Sequence, residues 1–119
     1  MRASPSWTRL ALGGAEVGRN QTAEVLMAFL LAHFELDDYD TWKRERFDAD
    51  PAGRKQSGAK RHQIFRAVDD GNKAFIGIEF GSVDEAASFR ERLLSSGALD
   101  GITQHVPPTV VEVADEVEY

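Results

Sequence analysis

Residues 60–85 limit what this chain can fold into more than any other stretch. "KRHQIFRAV" (60–68) and "KAFIGIEF" (73–80) read as strands and flank "DDGN" (69–72). Asp-Gly between two such runs is a hairpin signal, because a type I′ turn needs positive φ at both central positions. A turn centred on Asp70-Gly71 predicts His62 opposite Glu79, Ile64 opposite Gly77 and Arg66 opposite Phe75. "SVDE" (82–85) follows at once as a capping box, in which Ser82 and Glu85 satisfy each other's backbone N–H groups. Ala86, Phe89, Leu93 and Leu94 continue at helical spacing, and Gly97 suits the left-handed position beyond a helix end.

Upstream, "VLMAFLLAHFEL" (25–36) is predicted to be a strand. Leu26, Ala28, Leu30, Ala32, Phe34 and Leu36 make one apolar set, while Met27, Phe29 and Leu31 begin a second that ends in His33 and Glu35. Asp37 or Asp38 can cap the helix that follows, in which Tyr39, Trp42 and Phe47 share a face. Pro51 ends or interrupts that run, Asp50 can cap a short turn beyond it, and Gly58 closes it. After a loop containing Pro107 and Pro108, "TVVEV" (109–113) alternates as a last strand. Residues 1–24 sustain no period. They read as a flexible N-terminal extension, or as an upstream start with Met27 the native initiator, or as a segment docking through "WTRLAL" (7–12).

Residues 25–119 are thus expected to run β-α-β-β-α-β. This is a ferredoxin-like α+β domain, a four-stranded antiparallel sheet with two helices on one face. In the predicted register Gln63, Phe65, Ile76 and Ile78 face the helices. The open face would present Phe29, Leu31, His33, His62, Ile64, Arg66, Phe75 and Glu79. Such a patch exceeds what a monomer usually leaves exposed, so a homodimer meeting sheet to sheet is expected.

Composition narrows the function. The 119 residues suffice for one domain, and a net charge of −6 disfavours a nucleic-acid binder. With no cysteine, thiolate chemistry and disulfides are excluded. The longest mainly apolar stretch, "VLMAFLLA" (25–32), falls far short of the roughly 20 residues of a transmembrane helix, and a cytoplasmic protein is expected.

"DYDTWK" (38–43), "SGAKRHQIFRAVDDGNKAFIGIEF" (57–80) and "SVDEAASF" (82–89) resemble the small dimeric α/β-barrel proteins related to antibiotic-biosynthesis monooxygenases. The likeness covers nearly everything after Met27. It implies a homodimer with an enclosed pocket, and the superfamily includes cofactor-free oxygenases, polyketide cyclases and haem-handling enzymes. Such sequences often carry a first-strand histidine where Phe34 stands here; His33 falls one place earlier, on the opposite face of a strand.

The resemblance and the residues together suggest a cofactor-independent monooxygenase or cyclase acting on an aromatic or polyketide-like molecule. His62 or His33 would be the general base, with Glu79 orienting the imidazole. Tyr39, Trp42, Phe29 and Phe65 would wall the pocket, with Arg66 a further ligand-binding candidate. Phe29 and Phe65 fall on opposite sides in the predicted register, so one pocket could take both only at the end of the sheet. No metal pattern is present, and His105, beside prolines, is expected in a solvated loop. The basic stretch "GRKQSGAKRH" (53–62) reads as a solvated loop able to attract anions. A non-catalytic dimer of the same fold is the alternative, with Tyr39 and Trp42 simply in the core. Haem binding and RNA binding rank lower: Gly77 stands where an RNA-recognition strand needs a second aromatic.

Overall fold

The computed structural model describes residues 27–119. The expectations for residues 1–26 lie outside the described residues. The chain forms β1 (Ala28–Glu35), a short helix α1 (Tyr39–Trp42) running into a π-helical turn (Lys43–Phe47), β2 (Ala59–Ala67), β3 (Asp70–Phe80), α2 (Val83–Ser95) and β4 (Thr103–Val111). The strands make one four-stranded antiparallel sheet in the order β2-β3-β1-β4.

One set of alternating side chains builds the core. Ala28, Leu30 and Phe34 of β1, Leu36 just beyond it, and Ala74, Ile76, Ile78 and Phe80 of β3 are all buried. Trp42, Phe47, Ala86 and Phe89 cover them from the helices. Phe80 and Phe89 meet with ring centroids 5.4 Å apart. The expected capping residues hold: Asp38 accepts from Thr41 N at 3.0 Å, and Ser82 Oγ accepts from Glu85 N at 3.1 Å. Glu85 completes its half of the box one residue early, accepting from Gly81 N. Two hydrogen bonds from Thr41 keep the Asp38 carboxyl below its ordinary range. Gly97 closes α2 at φ 82°.

The π turn explains how Trp42 and Phe47 share the core. Five residues are about 1.4 turns of an α-helix, which would swing Phe47 away from Trp42. The wider loop is closed by Asp48 N donating to Lys43 O at 2.9 Å, and it returns Phe47 to within 5.2 Å of the Trp42 ring.

The hairpin differs from expectation by one residue. Arg61 lies opposite Glu79, Gln63 opposite Gly77, Ile64 opposite Ile76 and Phe65 opposite Phe75. The chain reverses at Val68-Asp69, and Asp70 already belongs to β3. Neither Asp70 nor Gly71 has positive φ. Asp70 instead accepts from Asn72 N at 3.0 Å, a local turn inside the strand, and Arg66 Nε donates to Gly71 O at 2.9 Å. The Arg66 guanidinium passes directly over Gly71, and a Cβ there would have to push that flexible side chain aside. Residues 71–73 therefore bulge, and the register shifts between Arg66 and Ala67. Asn72 next in line clasps the β1–α1 corner. Its Oδ1 accepts from Tyr39 N at 2.8 Å, and its backbone carbonyl accepts from Leu36 N at 2.8 Å.

A one-residue slip turns every side chain of β2 over. His62, Ile64 and Arg66 belong to the helix side, and Arg61, Gln63 and Phe65 to the open face, the reverse of the predicted arrangement. The last strand also departs from expectation: it begins at Thr103, ends at Val111 and contains both prolines. An edge strand tolerates them because one side of it pairs with no strand among the described residues, and register shifts around His33 absorb the irregularity.

Candidate functional site

The pairings lay out the open face as three rows running from β4 to β2. Val111, Phe29, Glu79 and Arg61 form the first; Thr109, Leu31, Gly77 and Gln63 the second; Val106, His33, Phe75 and Phe65 the third. Gly77 leaves a bare strip of backbone at the centre, with Leu31 leaning over it. The result is a groove of about 610 Å³, bordered on one side by residues 112–115 after β4. That volume suits a small organic molecule. Its apolar groups are open to solvent: Leu31 is 43% exposed, Phe65 57%, Phe75 41% and Val106 44%.

His33 stands in this groove. Its ring lies flat on Phe75, centroids 3.9 Å apart and planes 14° from parallel. Its Nε2 is buried and has no hydrogen-bond partner among the described residues. A buried polar nitrogen left unpaired costs free energy, so such an atom calls for a reason. Beside it on β4 stands His105, ring centroid 5.0 Å away, with its Nε2 2.7 Å from Glu35 Oε1. A carboxylate only accepts, so Nε2 carries the proton. At the other end of the groove Glu79, buried, takes Arg61 Nε at 2.7 Å.

The structure divides the sequence-predicted residues. Phe29, His33, Phe65 and Glu79 share the open face, and Phe29 and Phe65, expected on opposite sides, share a groove. His62 does not face Glu79. It lies on the helix side, edge-on to Phe47 at 4.9 Å. Partial desolvation there, then the nearby Arg54 and Lys43 cations, lower the pKa of this still exposed side chain from the ordinary 6.5. Arg66, also on that side, stacks its guanidinium over Tyr39 at 4.1 Å. Trp42 is buried. The interior between helices and sheet is nearly full: a void of about 50 Å³ adjoins Trp42, and no histidine lines it. Among the described residues, Trp42 lines that small void and Tyr39 does not.

Two residues escaped sequence reading. Glu35 and His105 are drawn together only because β4 starts at Thr103, before the prolines that mark a loop in the sequence. The available signal was the alternation of Gln104, His105 and Val106, too short to outweigh Pro107-Pro108. Among the described residues no group of three or more His, Cys, Asp or Glu side chains could hold a metal ion, and no helix is long and apolar enough to cross a membrane.

No protein-family model matches the chain, and no curated protein matches it.

Proposed function

We propose that the chain is a ferredoxin-like domain of the dimeric α/β-barrel kind, two copies of which meet through their open sheet faces. In this reading a small aromatic or polyketide-like molecule binds in the groove, and the protein acts in the cytoplasm as a cofactor-independent oxygenase or cyclase. The supporting observation is the groove itself, which combines exposed Leu31, Phe65, Phe75 and Val106 with a histidine whose Nε2 is buried and unpaired.

His33 is the base in this reading. Its neutral imidazole takes a proton from a phenol or an acidic carbon of the substrate, which keeps the electron pair as a phenolate or enolate. In an oxygenase that anion reduces dioxygen: one oxygen stays as a carbonyl where a CH2 stood, and the other leaves as water. In a cyclase the enolate attacks a carbonyl of the same molecule. Both need water kept away from the anion, and the second copy would supply that cover. Glu79 is engaged with Arg61 and holds the far end of the groove rather than orienting a histidine.

A non-catalytic dimeric binding protein is the second reading. It is favoured by the filled interior around Trp42, which assigns that aromatic residue to stability.

The test has two arms. Sedimentation equilibrium should give twice the 13.2 kDa chain mass, and Leu31→Glu with Phe65→Glu should give one chain mass with unchanged circular dichroism. Anthrone, a flat CH2 acid, should be oxidised to anthraquinone with oxygen uptake that His33→Ala abolishes. A monomeric wild type removes the pairing. Anthrone binding without turnover supports the binding protein, and neither binding nor turnover removes the aromatic ligand.

A further inference from the structure

The buried nitrogen of His33 raises a problem for any base at that position. A base must be relieved of its proton before the next turnover, to the product or to solvent, and His33 Nε2 has neither solvent nor a described partner through which to exchange it with bulk water. The neighbouring elements supply one route. Phe75 of β3 covers one face of the ring, Val106 lies across from it on β4, and His105 stands 5.0 Å away. His105 is itself about half-exposed, with 46% of its side chain open to solvent, and Glu35 beside it equally so. The charged residues beside the pair in the sheet are Glu35 of β1 and its register partner on β3, Lys73.

We infer that Glu35 and His105 form a proton relay between the buried Nε2 of the His33 ring and solvent, an inference that rests on His33 being the base of the site. Glu35 fixes His105 with its proton on Nε2, which leaves Nδ1 as the acceptor. The arrangement has the logic of a carboxylate that selects a histidine tautomer and offsets the charge of the imidazolium. A proton taken by His33 passes to His105, directly or through one water. His105 becomes an imidazolium beside the Glu35 carboxylate and then releases one proton to bulk water. Both rings return to neutral, and no other reactant is consumed. Glu35 and His105 are positioning and relay groups, and neither need touch the substrate.

The measurement uses the full chain without substrate. In the 15N-labelled protein the exchange of the His33 ring N–H with water is followed by NMR, alongside the tautomer of His105. His105 should show a proton on Nε2 whose resonance moves in Glu35→Gln and is largely restored in Glu35→Asp. In both His105→Phe, which keeps the ring contact, and His105→Gln, which keeps polarity, exchange at His33 should slow by about tenfold or more, as expected when an acid–base partner is removed. Unchanged exchange in the two variants, with the amide spectrum preserved away from β1 and β4, overturns the relay. Slowed exchange in a protein that leaves anthrone untouched keeps the relay and removes the oxygenase.

Discussion

The imidazole of His33 and the phenyl ring of Phe75 stack across the β1–β3 pair at 3.9 Å, tilted by 14°. Stacked pairs of this kind contribute about 0.5–1.5 kcal/mol beyond the area they bury. Phe75 thus packs against the groove histidine whose Nε2 is buried without a partner among the described residues. Phe75→Leu keeps most of the apolar volume and removes the flat surface. It should lower stability by about 1 kcal/mol in urea titration and shift the His33 ring resonances through loss of the ring current. Unshifted resonances would mean that Phe75 does not hold the imidazole in solution.

The bare backbone at Gly77 gives a second prediction. A Cβ there would stand 3.2 Å from Leu31 Cδ2, the end of a partly exposed side chain that can swing aside. Gly77 has no positive φ to protect, so valine is compatible with the strand. Gly77→Val should leave urea stability within about 0.5 kcal/mol and weaken anthrone binding by about tenfold, because the branched side chain fills the floor of the groove. Undiminished binding, followed by fluorescence, would place the ligand elsewhere.

His62 should make stability depend on pH in a defined direction. Partial desolvation and the neighbouring cations lower its folded pKa below 6.5, so the unfolded chain takes up the proton first as pH falls. Its contribution is fully present above pH 6.5 and is lost as pH falls through the folded value. His62→Gln should therefore narrow the difference in urea midpoint between pH 7.5 and pH 5. An equally steep dependence in the variant would assign it to other groups.

The core makes the plainest prediction. Phe89 is 2% exposed and packs on Phe80. Phe89→Ala should cost about 3–5 kcal/mol by denaturant unfolding, the usual range when a buried aromatic ring is removed. A loss below about 1 kcal/mol would mean that α2 is not firmly seated on the sheet.

The layout of elements was readable in the residues because each rests on local chemistry. Asp38 and Ser82 announce their helices, Gly97 ends one, and the even-numbered positions of β1 from Ala28 to Phe34 declare the buried side. The hairpin register was not readable in the same way. Asp-Gly has two competing uses, and here Asp70 bonds Asn72 while Arg66 passes over Gly71, so the reversal falls two residues earlier. That choice depends on side chains reaching across the turn, and it decided which of His62 and Phe65 belongs to the open face of the sheet. His105 was missed for a related reason. Two adjacent prolines argue for a loop unless the strand is known to lie at an edge, and edge position is a property of the whole sheet.

Those same prolines restrict how copies of the chain can associate. Successive residues of a strand direct their N–H groups to opposite sides, so neighbouring Pro107 and Pro108 strip one donor from each side of β4. Among the described residues β4 forms one margin of the sheet, which is therefore interrupted near its middle, while the opposite margin, β2, carries Lys60, Arg61 and Arg66. Neither border invites another strand to continue the ladder, so growth into ribbons or fibrils is obstructed at both ends.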